Sequence, residues 1–312
     1  MPDAKPAYSA AASQLSTIRD VLRFALSSFR AARIVHGHGA TSALDEAAFI
    51  ILEALKLPVD DINPWLDARL LDSEREALIE LIRRRIETRV PAAYLLGRTY
   101  MHGVPFFVDE RVIVPRSYIG ELLFSGLFGG SEAPLIADTS SVTGVLDLCT
   151  GSGCLAILAA GVFPEAEIDA VDLSADALAV ARINVEEHGL SRRINLLEGD
   201  LFEPVEGSAY DLIIANPPYV REDEVQAFPP EYGHEPVMAH LGGEDGLAIV
   251  RRILAEAPAF LNPGGALLCE IGTGRETLVA EYPELDFLWL DTEEAEAEVF
   301  WITREDLLAA ET

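Results

Sequence analysis

The sequence has few cysteines, no long apolar run and no leader-like opening. Its three cysteines, Cys149, Cys154 and Cys269, show no C-x-x-C spacing, so we expect small buried thiols rather than a disulfide framework or a metal site. No apolar run is long enough to cross a bilayer, and no basic-then-apolar segment opens the chain. We therefore expect a globular, cytoplasmic protein without membrane contact. With 312 residues, half of them apolar, the chain can form one large domain and a small one, or two medium domains.

Cationic side chains are also scarce. The chain holds 23 Lys and Arg against 52 Asp and Glu, for a formal charge of −29. Residues 193 to 312 contain 26 acidic side chains, six arginines and no lysine. Such a surface would repel free DNA and attract a basic protein partner, although an acidic surface that only favours solubility is the simpler explanation. A dense basic cluster, Arg83 to Arg85 with Arg89, either contacts RNA or, more simply, solvates one helix face.

The first ninety or so residues are predicted to be helical. Apolar side chains recur on one helix face between Ile18 and Phe29, with Thr17 as the predicted N-cap. A second helix is predicted to start near Ser42, and a third after Ser73–Glu76, which has capping-box spacing.

The pattern then changes to that of extended structure. Phe106–Val108 and Arg111–Val114 are predicted to form a β-hairpin. The chain is thus predicted to divide into a helical domain at 1–95, a hairpin linker at 96–120 and a larger domain at 121–312.

From Gly144 onward strands and helices alternate, which predicts an α/β fold with a mostly parallel, doubly wound, seven-stranded sheet. The predicted strands are 144–148, 167–171, 194–198, 210–215, 266–271, 286–290 and 298–303. The predicted helices are 154–162, 174–188 with Ser174 as cap, and 246–260.

The most informative motif is Asn216-Pro217-Pro218-Tyr219, which directly follows the apolar strand 210–215. Two prolines stiffen the turn and leave its carbonyls free to accept hydrogen bonds. The Asn216 side chain adds an acceptor, and Tyr219 offers a flat face. This arrangement suits a planar NH2 group, such as a carboxamide or an exocyclic base amine, whose nitrogen is held near an electrophilic methyl group. A proline-rich ligand segment is the alternative, but such segments do not directly follow buried strands.

Three further strand ends carry features of a nucleotide-like pocket. Cys149-Thr150-Gly151-Ser152-Gly153 follows the first strand, where glycine lets the backbone approach a ligand. It is a G-x-G turn, short of the G-x-G-x-x-G dinucleotide fingerprint. Asp172 ends the second strand, where a carboxylate can bind ribose hydroxyls, and Asp200 and Leu201 follow the third, where they can border an adenine. Each signal alone is weak, but their order at four successive strand ends predicts one site.

Taken together, these motifs resemble the class I S-adenosylmethionine-dependent methyltransferases with an Asn-Pro-Pro-Tyr motif, and among them the N(5)-glutamine methyltransferases. The PrmB-type branch, which acts on the third large-subunit ribosomal protein, is more similar than the HemK-type branch, which acts on peptide release factors. The resemblance covers about residues 91 to 310 and rests on Pro91–Leu95, Phe107–Ser117, Cys149–Cys154 and Glu231–Pro236.

The resemblance implies a Rossmann-like methyltransferase domain with S-adenosylmethionine as cofactor and S-adenosylhomocysteine as product. Cys149–Gly153, Asp172, Asp200, Leu201 and Asn216 would line the cofactor pocket. Asn216–Tyr219 would hold the glutamine amide, and the helical domain would help to dock a basic protein substrate. Arg116 and Glu121 either shape a peptide channel or form an ordinary salt bridge.

Three other functions fit parts of the pattern. Release-factor methylation differs only in the docking surface. Adenine N6 methylation would use the same grip on an amine, but the acidic C-terminal half argues against free DNA. A non-catalytic ribosome-assembly factor that binds the cofactor as a regulatory ligand fits the intact Asn-Pro-Pro-Tyr motif poorly.

Overall fold

A computed structural model describes residues 8–130, 133–293 and 296–309. The chain folds into two compact units: a helical unit, which runs to Thr99 and also includes Pro229–His234, and an α/β unit, Tyr100–Phe228 with the residues from Glu235 onward. Within the described ranges, no helix combines the length and apolarity needed to span a membrane.

The helical unit forms where the capping residues of the sequence predict. Thr17 caps one helix by accepting the Asp20 N–H, while the Asp20 carboxylate accepts the Thr17 N–H. Ser42 accepts the Asp45 N–H and caps the next helix. The predicted capping box at Ser73–Glu76 is wrong, because the helix begins at Asp72 and its Glu74 accepts the N–H of Leu71. The α-helices that the described residues of this unit form are α1 Tyr8–Gln14, α2 Ile18–Ala32, α3 Ala43–Ala54, α4 Asp72–Thr88 and α5 Ala92–Leu96.

Two buried carboxylates tie the helical unit together. Glu46 on α3 contacts Arg85 on α4 at 2.5 and 3.2 Å, and Nδ1 of His36 at 2.9 Å. Glu231 accepts the backbone N–H of Val35 at 3.1 Å and Nη1 of Arg89 at 2.9 Å. The Glu231 carboxylate therefore attaches the segment 229–234, which is distant in sequence, to the helical unit.

A hairpin of strands β1 Thr99–Met101 and β2 Val104–Phe106 joins the helices to the sheet region. His102 and Gly103, with φ of 49° and 78°, form its two-residue turn. The predicted hairpin of Phe106–Val108 with Arg111–Val114 is wrong, because β2 ends at Phe106 and Arg111–Val114 is not a strand. Instead of pairing with a strand, the Val114 N–H donates a hydrogen bond to the Glu235 carboxylate at 2.8 Å.

The α/β unit contains the predicted seven-stranded sheet in the order β5-β4-β3-β6-β7-β9-β8. Strands β3 to β7 pair in parallel, and β9 runs antiparallel to both of its neighbours. The strands are β3 Gly144–Leu148, β4 Glu167–Asp172, β5 Ile194–Glu198, β6 Tyr210–Ala215, β7 Leu261–Glu270, β8 Leu288–Leu290 and β9 Val299–Thr303. The helices are α6 Tyr118–Phe124, α7 Cys154–Val162, α8 Ala175–Glu187, α9 Glu222–Gln226, α10 Ala248–Phe260, α11 Arg275–Glu281 and α12 Arg304–Ala309.

Both faces of the sheet are covered, which explains the apolar strand sequences. Alternate residues of β6 enter different cores: Leu212 and Ile214 pack in the cluster that contains α7, whereas Ile213 packs in the cluster that contains α10. The strand order changes direction between β3 and β6. In open α/β sheets ligands bind at the carboxyl ends of the strands at such a point, and the predicted site residues follow these strands.

Candidate active site

The loops after β3, β4, β5 and β6 surround a cavity of about 320 Å³. This volume lies in the range of small-molecule pockets. The structure therefore places residues from all four predicted strand ends around one cavity. Predicted residues that line the cavity are Cys149, Gly151, Asp172, Asp200, Leu201, Asn216 and Pro218; Thr150, Ser152, Gly153, Pro217 and Tyr219 are not among its lining residues.

The turn after β3 is built from left-handed residues. Cys149, Gly151 and Gly153 have φ of 58°, 57° and 78°. A Cβ at Gly151 would meet no atom within 4 Å, so the backbone there faces open space. A Cβ at Gly153 would lie 3.2 Å from Ala181 of α8, so this glycine instead permits close helix packing. Gly151 thus leaves space for a ligand, whereas Gly153 leaves space for helix α8.

Asp147 lies beneath this turn and is fully buried. Its Oδ2 accepts the Thr150 hydroxyl at 2.5 Å and the Ala156 N–H at 3.1 Å. Burial raises its pKa to about 7. Asp147 therefore fixes the turn against the start of α7, and the Thr150 hydroxyl points to this carboxylate.

Asp172 holds the turn from the neighbouring strand. Its two carboxylate oxygens accept the N–H of Gly151 at 2.8 Å and of Ser174 at 2.9 Å. Burial raises its pKa, against the effect of these two bonds. Each oxygen has a second lone pair, and Asp172 lines the cavity, so the carboxylate can accept ribose hydroxyls.

The loop after β5 presents one apolar and one charged side chain. Leu201 is buried in the cavity wall with φ of 51°, near Ile249 of the same wall. The carboxylate of Asp200 pairs with the guanidinium of Arg252 at 3.0 Å through both oxygens. The acceptor oxygens of Asp200 are thus directed to Arg252, and Leu201 provides an apolar surface in the cavity wall.

The Asn-Pro-Pro-Tyr turn presents different residues to different sides. Nδ2 of Asn216 donates to the carbonyl of Arg116 at 3.4 Å, which turns Oδ1 the other way. Asn216 and Pro218 line the cavity, whereas Pro217 is buried. Tyr219 is not among the residues that line this cavity, and its hydroxyl donates to Oε1 of Glu270 at 2.9 Å.

Glu270, the last residue of β7, is the main site residue that the sequence analysis missed. It is 1% exposed and accepts the Ser117 hydroxyl at 2.7 Å and the Tyr118 N–H at 2.9 Å, besides the Tyr219 hydroxyl. Burial raises its pKa. A Cβ on Gly272 would lie 2.7 Å from the Tyr219 ring, so glycine makes room for that ring. An acidic residue inside the apolar run 266–271 was the available signal.

Glu235 holds two walls of the cavity together. It accepts both ends of the Arg116 guanidinium at 2.9 and 2.8 Å and the Val114 N–H at 2.8 Å, and His240 Nε2 lies 3.0 Å away. The wall residues Ile113 and Met238 flank these contacts in sequence. Arg116 is thus part of a salt bridge, and Glu121 accepts the backbone N–H of Glu293.

The thiols lie in apolar surroundings. Cys154 and Cys269 are buried and Cys149 is half-buried, and burial raises the pKa of all three. A protonated thiol is a poor nucleophile. The cysteines therefore act as small packing residues, and Cys149 also contributes to the cavity wall.

Comparison with known proteins agrees with this geometry. Residues 133–228 match the family described as "Methyltransferase small domain". The ribosomal protein uL3 glutamine methyltransferase of Bradyrhizobium diazoefficiens is 54% identical over 94% of this chain and 92% of its own length. The proteins of the same name from Bordetella pertussis and Neisseria meningitidis are 51% and 52% identical, over 94% and 97% of this chain and 97% and 98% of theirs. The chain is an S-adenosylmethionine-dependent methyltransferase, and it belongs to the family of ribosomal protein uL3 glutamine methyltransferases.

Proposed function

We propose that this protein transfers a methyl group from S-adenosylmethionine to the side-chain amide N(5) of a glutamine in ribosomal protein uL3. The observation that carries the proposal is the 54% identity to a uL3 glutamine methyltransferase over nearly the whole chain. The product would be N(5)-methylglutamine. The identity extends beyond the matched methyltransferase domain at 133–228 into the helical residues, where the substrate would dock.

The cavity fits the cofactor. Gly151 leaves its backbone open to a ligand, Asp172 offers acceptors for the ribose, and Leu201 offers an apolar wall for the adenine. Cys149, Asp200 and Asn216 also line this cavity. Thr150, Ser152 and Gly153 would shape the turn through their contacts with Asp147, Asn184 and Ala181. When bound, S-adenosylmethionine supplies the electrophilic methyl group.

The substrate amide is held by acceptors. Oδ1 of Asn216 and the carbonyl of Pro217 would each accept one hydrogen of the glutamine NH2 group, because the Arg116 carbonyl already binds the Asn216 Nδ2. The nitrogen lone pair is then directed toward the cofactor side. Such positioning lowers barriers by roughly 7 to 11 kcal/mol, and the carbonyl dipoles stabilise the developing positive charge on nitrogen. The alkylated nitrogen is strongly acidic, so water can accept its proton without a general base.

Pro218 and Tyr219 would keep the turn and the amide in place. Pro218 lines the cavity beside Asn216. The Tyr219 ring is fixed by the Glu270 contact at its hydroxyl and by Gly272 at its edge. A ring held in this way presents a constant face, against which the amide plane can pack.

The partner would be a basic protein. Residues 193 to 312 hold 26 acidic side chains against six arginines, an excess of 20, which favours a cationic polypeptide over nucleic acid. We assign substrate docking to the helical unit and a cytoplasmic location to the protein, where it would meet newly made ribosomal proteins.

The test is peptide mass spectrometry of purified uL3 after incubation with S-adenosylmethionine and the wild type or the Asn216→Ala variant. We expect one glutamine to gain a methyl group, and the variant to lose about 100-fold or more in rate, as for a lost transition-state hydrogen bond. Asn195→Ala, in which an exposed asparagine of β5 loses its bond to Asp169, is the matched control and should keep full activity.

Other results would revise the proposal in different places. Methylation of release factor, with none of uL3, would replace the substrate and leave the grip on the amide unchanged. Full activity of Asn216→Ala on uL3 would remove Asn216 from the mechanism.

A further inference from the structure

A second cavity, of about 610 Å³, adjoins the Asn-Pro-Pro-Tyr turn. It begins at Tyr219, whereas the cofactor cavity includes Asn216 and Pro218 of the same turn. Its other walls include Arg221, Glu244, Asp245 and Arg251. The turn that would hold the target amide therefore separates the cofactor from this second, strongly charged cavity.

Two glycines place the acidic residues of this cavity next to the turn. A Cβ on Gly242 would lie 2.7 Å from the Tyr219 Cα, and a Cβ on Gly246 would lie 2.4 Å from the Tyr219 carbonyl oxygen. Only glycine allows backbone segments to approach so closely. Glu244 and Asp245 lie between these glycines in the chain. The loop 242–246 is thus packed directly on the Tyr219 backbone.

The two arginines of the cavity are already neutralised. Arg251 contacts Asp245 at 2.9 and 2.5 Å, and Glu281 at 2.7 to 2.9 Å. Arg221 contacts Asp223 at 3.1 and 2.7 Å. Because a guanidinium has five N–H donors, Arg251 has few left for a ligand anion.

The remaining charge of the cavity is negative. The lining holds two guanidinium groups and two carboxylates, Glu244 and Asp245. Two further carboxylates outside the lining, Asp223 and Glu281, pair with the arginines, so that the six groups together carry a formal charge of −2. Asp245 stays ionised, since the Arg251 hydrogen bond holds its pKa at about 2. Within the part of the chain that the structure describes, Glu244 has no ion-pair partner, and its side chain is exposed. A cation is the ligand that completes this arrangement.

We propose that this cavity binds a lysine or arginine side chain of the substrate polypeptide, close in sequence to the methylated glutamine, with Glu244 as its ion-pair partner. The inference rests on the proposed function and deepens it, since it states what must flank the target. An extended polypeptide advances about 3.3 Å per residue, so a basic residue a few positions from the glutamine would reach across Tyr219. The hydroxyls of Thr273 and Thr277 in the same walls can bind the peptide backbone.

The experiment uses the full-length enzyme, S-adenosylmethionine and synthetic uL3 peptides that span the methylated glutamine. Glu244→Gln removes one charge from the cavity, and Glu276→Gln, on the exposed side of α11 outside the cavity lining, is the matched control. We expect Glu244→Gln to lower kcat/KM about two- to fivefold, as for a partly exposed ion pair, through KM with kcat unchanged. Glu244→Lys should lower it further, and Glu276→Gln should match the wild type.

A double-mutant cycle identifies the partner. Each lysine or arginine of the peptide is replaced by methionine in turn, and we expect one replacement to lower kcat/KM in the wild type and to have little effect in Glu244→Gln. Equal kcat/KM values for Glu244→Gln and Glu276→Gln would overturn the cation site, and so would additive effects on kcat/KM for every peptide cation. In either case, methylation of uL3 by the wild type would still support the proposed function. No methylation of uL3 by the wild type would overturn both.

Discussion

Two buried glutamates, one in each unit, have opposite environments. Glu46 in the helical unit is paired with Arg85 and His36. Burial acts to raise its pKa, but these partners outweigh burial and lower it. Glu270 in the α/β unit receives two hydroxyls and a backbone N–H, and no cation among the described residues pairs with it. Burial therefore raises the pKa of Glu270.

The difference shows how one residue type can serve folding or function. Glu46 exchanges hydration for the charge of Arg85 and a contact with the His36 ring, so it joins α3 to α4 and directs its acceptor oxygens to these two side chains. Glu270 exchanges hydration for the hydroxyls of a serine and of the tyrosine in the proposed substrate turn. A buried carboxylate without a cation is costly, and strained or costly groups concentrate where function requires them.

The largest expected effect tests the structural member of the pair. Arg85→Met should lower the free energy of unfolding by about 3 to 5 kcal/mol, because it leaves the Glu46 carboxylate buried without its main cation. Urea unfolding, followed by the fluorescence of Trp65 in a background with Trp289 and Trp301 replaced by phenylalanine, measures it. Arg83→Met, in the same helix but with its exposed partners Glu80 and Glu87, is the control and should change stability little. An equal decrease in the free energy of unfolding in both variants would show that the buried ion pair contributes no more to stability than the exposed ones.

The second effect tests the functional member. Tyr219→Phe removes the hydroxyl that binds Glu270 and should lower kcat about tenfold to 100-fold, as for a lost hydrogen bond to a charged group. Adding Glu270→Gln to it should lower kcat little further, because we expect Glu270 to affect kcat mainly through the Tyr219 hydroxyl. Calorimetry should show unchanged cofactor affinity.

Ser117→Ala is the matched control for this contact. It removes another hydroxyl that binds Glu270, but leaves Tyr219 in place. We expect lower stability and nearly normal kcat. If Ser117→Ala lowers kcat as much as Tyr219→Phe, then Glu270 acts only through packing, and the distinction between the two glutamates is lost.

The smallest effect is a contrast in pH dependence. The pKa of Glu46 is lowered, so its stabilising effect relative to Glu46→Gln should be present above the ordinary value of 4.5 and lost as the pH falls through the folded-state pKa. The pKa of Glu270 is raised, so the stability of wild type relative to Glu270→Gln should be highest below 4.5 and fall as the pH rises through the folded-state pKa. Urea unfolding of both variants across this range measures it; slopes of the same sign would contradict the assigned environments.

Much of the fold could be predicted because its determinants are local. The N-caps Thr17, Ser42 and Ser174 each accept a backbone N–H at the predicted helix starts. Strand β6 is an uninterrupted apolar run, as expected for a strand covered on both faces. The extended segment at Arg111–Val114 failed because its hydrogen-bond partner, Glu235, is 121 residues away.

The candidate site also has a part that could be predicted from the sequence and a part that could not. Glycine turns and polar residues at strand ends are visible in sequence, and the cavity brings Gly151, Asp172 and Asn216 together. The contacts that hold those residues are not visible, since Glu270 and Glu235 bind partners more than 50 residues away. Tyr219 was expected to offer a flat face to the amide. The contact of its hydroxyl with Glu270 was not predicted, because the sequence marks Glu270 only as one acid within an apolar strand.

The contacts of Glu231 impose an order on biosynthesis. The helical unit needs the carboxylate of Glu231 for Arg89 and for the Val35 N–H, and the carbonyl of Thr88 lies 3.0 Å from His234 Nε2. During translation those partners leave the ribosome well over a hundred residues before Glu231 and His234. The N-terminal helices must therefore wait, incompletely bonded, until most of the sheet has been synthesised. Although the helical unit comes first in the chain, its hydrogen bonds can be completed only after residues 229–234 have been synthesised.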